Sequence, residues 1–568
     1  MKHKKTNIIQ ILETIIERKP KTKAEFDDVR RKVCSSLKIS QPSNSQVLAV
    51  YKELLKQKKI VKNLTIEHLC MKAGIRSTSG IAVVTSLVKP YACPGKCVYC
   101  PTEVRMPKSY IASEPAAARS LALDFDPYLL MQKRIEMLEK NGHPVDKIEY
   151  ITKGGTWNAY TLAYQYWYIM ESFNACNNLT RRKQIPPTQE SDWVKKPIQA
   201  LIDRTEKEQR YNEKAKHRII GITLETRPDC ITPKTIYHMR KQGCTRIELG
   251  LQAPDDAILS LIKRGHTVNE FKKAMYLLRC AGFKVDLHFM PDLPGTTPTH
   301  DIAMYTSLFS DPALCPDMVK IYPNTVIKSA ELYQWFKKGK YKSYGDKALF
   351  RTLLAMKKAT PRYCRISRLI RDIPSNEISD GNTITNLRES LAQSLKQQNE
   401  VCACLRCREI SRQVGNIPKD TPPQLFVDTY KTVGGIEHCI TFEDPKRIAV
   451  FGFLRLRIPK PLSKEEEKEY PWAPQQSCLA LLKQIPEIKN CAFIRELHVY
   501  GQLVKIGEQK EKASQHKGLG KKLMKAAEDI IQKEGIKKSA VISGVGVRGY
   551  YKKLGYRKVG TYMIKKLY

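Results

Sequence analysis

The chain is 568 residues long, enough to bury two or three substantial cores and to divide into up to about four domains, so it is no small stapled scaffold. Lysine and arginine number 98 against 57 acidic residues, a formal charge of +41 spread from end to end, which favours a polyanionic partner such as nucleic acid over mere solubility. No stretch has the continuous apolar length of a membrane span, and 17 cysteines, an odd number, in a lysine-rich chain without a secretory pattern argue for reduced thiols and the cytoplasm.

Residues 1–75 read as a basic helical region. Ile8, Ile9, Leu12, Ile15 and Ile16 recur at helical spacing before Pro20, Ala24 to Leu37 repeats the pattern, and Ser45 to Lys56 gives a third helix. Arg30, Arg31, Lys32, Lys56, Lys58 and Lys59 are its candidate phosphate contacts.

A β-branched run, Gly80 to Val88, reads as a strand buried on both faces. It leads through Lys89 into Cys93-Pro-Gly-Lys-Cys97-Val-Tyr-Cys100. Three thiolates at this spacing can wrap one face of a cubane iron–sulfur cluster, with Gly95 freeing the turn and the fourth iron left open to a further ligand. A structural zinc site is the weaker alternative, because no second cysteine pair follows promptly.

A helix is expected over 126–142, then a strand over 147–152 that ends in Lys153-Gly154-Gly155-Thr156, where backbone groups can meet a small ligand without side chains in the way. Residues 176–215 read as an exposed basic excursion. Further strands are expected at 219–224, 246–250, 283–289 and 318–323. The cadence of about six strand–loop–helix units between 80 and 370 implies a (β/α) barrel or an open fragment of one. Polar residues gather at its strand ends: Glu225, Arg227, Glu248, Gln252, His288, Asp292, Lys320 and Tyr322 join the cysteines and glycines there.

Cys402-Ala-Cys404-Leu-Arg-Cys407 resembles a zinc knuckle that lacks its fourth ligand, for which Cys364, His266, Cys439 and His438 are candidates. An uncommitted cluster of reduced thiols is the alternative. From about residue 424 the texture turns antiparallel, with strands at 447–458 and 491–500 separated by a charged, proline-bounded loop at 461–476. Gln515-His516-Lys517-Gly518-Leu519-Gly520-Lys521 then opens a helix to about Glu534, a construction whose amides and helix dipole suit a pyrophosphate.

Taken together, the chain resembles the Elongator catalytic subunit family over nearly its full length. Cys93 to Cys100, Lys153 to Thr156, Thr226-Arg-Pro-Asp229, Glu248 to Gln252, Arg264-Gly-His-Thr267, Met290 to Pro294 and Lys320 to Pro323 are similar to a radical S-adenosylmethionine (SAM) domain. Arg495 to Gly501, Gln515 to Gly520 and Gly544 to Tyr556 are similar to a GNAT acetyltransferase. After Cys100 the chain reads Pro-Thr-Glu where the family resembled reads Pro-Gly-Gly. The resemblance implies a multidomain α/β protein: a basic tRNA-binding region at 1–75, a radical SAM partial barrel at 76–370, a zinc-type linker at 371–423 and an α+β GNAT domain at 424–568.

It further implies C5 modification of the tRNA wobble uridine to a carboxymethyluridine-type product. Cys93, Cys97 and Cys100 would hold a [4Fe–4S] cluster that binds SAM. Lys89, Gly154, Gly155, Thr156, Glu225, Glu248 and Gln252 would line the ligand, with Lys89 also a catalytic-site residue whose charge contacts the substrate's phosphate or ribose, and a 5′-deoxyadenosyl radical would act on the acetyl methyl of acetyl-CoA. Leu497, His498, Val499 and the 515–521 loop would bind acetyl-CoA. Glu496 or His498 would activate water, and Tyr550 or Tyr551 would protonate the leaving thiolate. An external electron donor is required, and both monomer and homodimer are open. A different class of reading, a protein lysine acetyltransferase with a structural iron–sulfur domain, shares the acetyl-CoA site but predicts no SAM cleavage.

Overall fold

The computed structural model describes residues 2–71, 80–384, 386–418, 421–473, 475–500 and 518–568. Four short helices come first, Lys2–Arg18, Lys23–Ser36, Asn44–Lys56 and Leu64–Cys70, packed around Ile11, Leu12, Phe26, Leu48 and Tyr51. Ser43 and Gln46 cap the third helix reciprocally, so its start is fixed locally. Of the expected phosphate contacts, Arg30 turns inward to Asn44 and Asp27, whereas Arg31 and Lys32 pair with Asp28; Lys56, Lys58 and Lys59 are exposed.

The central sheet has seven parallel strands in sequential order: β1 (Ala82–Leu87), β2 (Lys147–Lys153), β3 (Arg218–Thr226), β4 (Arg246–Gln252), β5 (Lys284–Phe289), β6 (Met318–Ile321) and, after a short β7 (Thr325–Ile327), β8 (Arg365–Arg368). β1 and β8 are not paired with each other, so the barrel is open. The sequence suggests about six units; the seventh strand escapes pattern reading because Arg-Ile-Ser-Arg has only one apolar residue. β7 pairs with β9 (Ile378–Gly381) as a small antiparallel ribbon beyond the barrel.

Residues 181–200 are exposed or half-buried, as an excursion should be, with Arg182, Lys183, Lys195 and Lys196 in solvent, but the two ends of the 176–215 stretch are not. The helix Leu162–Asn178 is buried almost throughout and the helix Ile198–Asn212 packs against it. Between them lies a polar seam in which Asn177 donates to Glu208 at 2.8 Å, Asn212 donates to Asn177 at 2.9 Å and Arg181 pairs with Glu208 at 2.8 Å. Polar residues that satisfy one another in a core leave no apolar period to read.

The second large sheet runs β10 (Gln424–Thr432), β11 (Gly435–Glu443), β12 (Val450–Pro459), β13 (Ala492–Val499), β14 (Lys538–Val541), then β16 (Tyr562–Lys566) and β15 (Arg557–Val559) at the edge. β12 is buried along nearly its whole length rather than on alternate residues. Its outward face carries the helix Leu519–Lys533, and its other face is covered by the barrel. The expected 461–476 loop contains a helix, Lys464–Glu469, capped by Ser463 and Glu466.

The two halves meet through buried charge. Arg495 on β13 binds Asp317, the residue before β6, with one N–O distance of 2.9 Å, as well as Glu437 at 2.8 Å and the Phe283 carbonyl at 2.6 Å. Arg455 on β12 donates to the Asp317 carbonyl at 3.0 Å. Backbone packs directly as well: a Cβ on Gly544 would lie 1.9 Å from the Ile220 carbonyl oxygen, and one on Gly546 would lie 2.6 Å from the Arg218 Cβ. These glycines let the 544–546 loop lie flat against β3.

Burial pushes the Asp317 carboxyl up, but Arg495 and Arg455 overcome it and bring the group down to about 2. A depressed folded value means that this contribution to stability is present above 3.8 and is lost as pH falls toward about 2. Arg495→Ala would leave the buried Asp317 with Arg455 alone, at 3.7 Å, while Glu437 keeps Arg457 at 2.8 Å, and the expected loss is about 3–5 kcal/mol in urea unfolding at pH 7. An unchanged unfolding midpoint would contradict this assignment.

Candidate active site

β1 delivers the cysteine loop to the strand ends where a barrel's side chains converge. Cys93 stands 3.7 Å from the Thr156 hydroxyl and accepts the Gly95 amide at 3.4 Å. Arg264 donates to the Cys97 thiol at 3.5 Å and to the Gly250 carbonyl at 2.7 Å. Arg227 in turn binds the Arg264 carbonyl at 3.0 Å and Asp229 at 2.9 Å. The Thr226-Arg-Pro-Asp229 and Arg264-Gly-His-Thr267 motifs therefore build the cationic wall around the loop. A Cβ on Gly95 would lie 2.4 Å from Arg227 Nη1, so a side chain there would push that guanidinium off the Arg264 carbonyl. The Cys100 thiol, hydrogen-bonded to Cys97, brings Cys97 down to about 4 against the effect of burial, and Arg264 assists.

Beyond the loop lies a charged lumen. Lys153 at the end of β2 reaches Glu248 at 2.8 Å and Glu225 at 3.9 Å, while Lys320 also pairs with Glu248. Tyr110 donates to Glu225 at 2.8 Å, and Ser367 donates to Asp286 at 3.0 Å. Burial alone would raise Glu225 and Glu248, but the lysines hold both below the usual carboxylate range. Glu248 Oε1 and Gln252 Oε1 are buried without a hydrogen-bond partner, and Gln252 has a φ of 78°. Gly154 and Gly155 have φ values of +141° and +89°, and a Cβ on Gly154 would meet Val88 Cγ2 at 2.1 Å. Unclaimed acceptors and a bare backbone beside three thiols fit SAM bound to a cluster.

Among the described residues, Cys402, Cys404 and Cys407 are the one set of three whose ligand atoms all lie within 4.8 Å of one another. That compactness suits a single ion such as zinc. The thiols of Cys93, Cys97 and Cys100 do not all lie within that span of one another, although Cys97 and Cys100 are in contact. None of the four candidate fourth ligands joins the set: His266 contacts the Gly250 carbonyl at 3.1 Å and His438 contacts Thr429 at 2.9 Å, while Cys364 and Cys439 are buried outside it.

In the second sheet, β14 pairs with β13 only over Ala492–Ile494. Past that point the β13 edge over Glu496, Leu497, His498 and Val499 parts from β14. Leu497, Val499, Gly518, Leu519, Gly520, Lys521 and Tyr550 enclose a cavity of about 370 Å³ at this parting. Gly518 caps the following helix with a φ of +95°, and a Cβ on Gly520 would lie 2.8 Å from the Tyr550 hydroxyl. Gln515, His516 and Lys517 lie outside the described residues. Glu496 is held by Arg455 at 2.9 Å and Lys284 at 3.8 Å. His498 packs between Phe453 and Tyr500, and its buried Nε2 has no hydrogen-bond partner among the described residues. Tyr550 is 37% exposed, whereas Tyr551 packs into the core with Tyr556.

A single cavity of about 1870 Å³ joins the two regions: Cys93, Cys97, Cys100, Lys153 and Glu248 line one end, and Glu496, His498, Tyr550 and Tyr551 line the other. Lys89 is absent from its lining and instead pairs with Glu190, near the Tyr164 ring. Sequence reasoning missed the deeper lumen charges Glu149, Arg246, Lys284 and Asp286, and gave Lys153 no role. Charged residues alternating within otherwise apolar strands, as in Lys284-Val-Asp286-Leu-His288, were their signal.

An open radical-type barrel opening into a GNAT acyl site defines a class of two-domain enzyme. Residues 87–305 match the radical SAM superfamily, 316–397 the radical SAM C-terminal domain and 511–566 the acetyltransferase (GNAT) domain. The chain is 38% identical over 541 residues to the tRNA uridine(34) acetyltransferase of Methanocaldococcus infernus, covering 93% of this chain and 92% of that one. It is 34% identical to the Elongator complex protein 3 of Homo sapiens, with 87% and 85% covered. The solved structure of the archaeal Methanocaldococcus infernus Elp3 with an N-terminal deletion superposes with a TM-score of 0.68 at 36% identity, over 86% of this chain and 100% of that one. The chain belongs to the tRNA uridine(34) acetyltransferase family, of which Elongator complex protein 3 is a member. None of the helices among the described residues is long and apolar enough to cross a membrane.

Gly154→Ala is expected to weaken SAM binding to the reconstituted protein by at least about tenfold, roughly 1.4 kcal/mol, in equilibrium dialysis, with acetyl-CoA binding unchanged. Undiminished SAM affinity would contradict the placement of the ligand against this backbone.

Proposed function

We propose that this chain modifies C5 of the wobble uridine of tRNA, attaching a carboxymethyl-type group drawn from acetyl-CoA. The observation that carries this reading is the one cavity shared by the cysteine loop and the acyl-binding edge of β13. A protein lysine acetyltransferase has no need for that connection. When bound, a [4Fe–4S] cluster on Cys93, Cys97 and Cys100 together with SAM supplies a 5′-deoxyadenosyl radical, given one electron from an external donor.

The chain's own residues bind, orient and move protons. Gly154, Gly155 and Thr156 present backbone to SAM, while Glu248 Oε1 and Gln252 Oε1 accept from its donors. Lys153 and Lys320 keep Glu248 ionised for that purpose. At the other end, the β13 amides that β14 leaves unpaired are aimed to polarise a thioester carbonyl. The Gly518–Lys521 turn and the helix it opens receive the pyrophosphate.

Between the two candidate bases the geometry favours His498. Glu496 is committed to Arg455 and Lys284, which hold its carboxyl low in spite of burial. Burial holds His498 below its ordinary value, so it stands neutral at pH 7 with a free Nε2 to take a proton from water. Tyr550, whose hydroxyl borders the Gly520 turn, is the better proton donor to a departing thiolate than Tyr551, which is packed into the core. The exposed Lys56, Lys58 and Lys59 and the arginines lining the cavity supply contacts for tRNA phosphates. Cys402, Cys404 and Cys407 would hold zinc as a structural pin beside the cavity.

Anaerobic reconstitution with iron and sulfide, followed by incubation with SAM, acetyl-CoA, a reductant and tRNA, tests the reading. It predicts 5′-deoxyadenosine and a modified uridine, both lost in a folded Cys97→Ser variant; wild-type protein yielding no 5′-deoxyadenosine would overturn it. His498→Gln is expected to lower modified-nucleoside formation by about 10²-fold or more while 5′-deoxyadenosine formation persists. Parallel loss of the two products would instead give His498 a role in building the site.

A further inference from the structure

Cys280 ends the barrel helix Val268–Cys280, and Cys478 lies in the helix Gln475–Gln484, which packs against that barrel helix and precedes β13 in the chain. Both side chains sit on a small apolar cluster of Tyr276, Ala313, Val433 and Ala473, where the two helices meet, and the thiols are close enough to perturb each other's titration. Tyr276 lies one turn before Cys280 on the same helix face, and a Cβ on Gly434 would meet its ring at 2.8 Å, so the pocket around the pair is closely packed. Elsewhere among the described residues, Cys97 with Cys100 and Cys402 with Cys404 and Cys407 make the same kind of contact, and both sets belong to metal-type sites. The Cys280–Cys478 pair has no such use: it gathers no third ligand and lies outside the shared cavity.

We propose that Cys478 and Cys280 form a dithiol–disulfide site spanning the two halves of the molecule, with a low-molecular-weight disulfide as oxidant. Cys478 attacks one sulfur of the oxidant, forms a mixed disulfide and expels one thiolate. Cys280 then attacks the Cys478 sulfur and expels the second. The two protein thiols lose two electrons and two protons in all, and the oxidant leaves as two thiols. The roles follow from placement. Cys478 lies on an outer helix whose one buried residue is Leu481, beside the exposed Leu479, whereas Cys280 ends a helix that is buried over most of its length. The contact with Cys280, with Arg457 nearby, lowers Cys478 in the same sense, and contact and burial raise Cys280. The bond would tie the barrel helix to the segment that leads into β13, and so to Glu496 and His498.

The full-length reconstituted protein, treated anaerobically with oxidised glutathione and mapped by non-reducing peptide mass spectrometry, tests this. The expected result is a Cys280–Cys478 disulfide that dithiothreitol reverses and that raises the thermal midpoint of unfolding. Cys280→Ser should accumulate a glutathione adduct on Cys478. In Cys478→Ser, Cys280 should react at least about tenfold more slowly than in wild type. An adduct that stays on Cys478 in wild type, equal reactivity of Cys280 in Cys478→Ser, or two unmodified thiols would each overturn the proposal. Serine is close to cysteine in size, and a thermal melt of each reduced variant confirms that it is folded.

Discussion

Asp317 lies at the foot of β6 with almost no exposure to water, and a carboxylate in that position is untenable without compensation. Arg495 and Arg455 supply it from the second sheet. Their own burial is made acceptable by Glu437, Glu496 and the Phe283 carbonyl. Asp317 has both of its arginines in the other half, and Glu496 takes Lys284 from the barrel, so separating the halves would strand the Asp317 carboxylate and open the network around it. The barrel and the acetyltransferase sheet are thereby held in one register, and the cavity that joins their two sites follows from it.

The same device of charge enclosed and paired recurs inside the barrel. A packed parallel barrel fills its interior with branched apolar side chains. This one turns Lys153, Glu225, Glu248, Asp286 and Lys320 inward. The network leaves a few acceptors without protein partners at the mouth, among them Glu248 Oε1 and Gln252 Oε1. An enclosed array of fixed charges and open acceptors favours a polar ligand over bulk water and keeps a reactive species away from solvent. Glu496 belongs to both networks, through Arg455 at the interface and Lys284 in the lumen, so the interface and the chemistry are parts of one electrostatic structure.

What could be read from the sequence was what is local. Three thiols within eight residues, Gly154-Gly155 after a strand and Gly518-Leu-Gly520 before a helix each carry their chemistry in their spacing. Most strands were legible too, because an uninterrupted β-branched run has few other uses. The pairing of Arg495 with Asp317 spans 178 residues of chain and leaves no local mark. Gly544 and Gly546 read as part of an acetyltransferase motif, whereas their contacts with Ile220 and Arg218 show that they also make room for the barrel. The sequence carries a charged helix over 203–216, close to the observed Ile198–Asn212, but the burial along the Asn177–Glu208 seam was hidden because buried amides satisfying one another resemble surface polarity. Between Glu496 and His498 the sequence offered no choice; partners and burial separate them.

The central claim is that the cysteine loop and the β13 edge act on one acetyl group across one cavity. Acetyl-CoA deuterated in the acetyl methyl tests it most directly, in an anaerobic turnover with SAM, a reductant and tRNA, by mass spectrometry of the 5′-deoxyadenosine formed. Deuterium in the 5′-deoxyadenosine, dependent on acetyl-CoA being present, is the predicted result. Unlabelled 5′-deoxyadenosine formed alongside modified uridine would contradict the account.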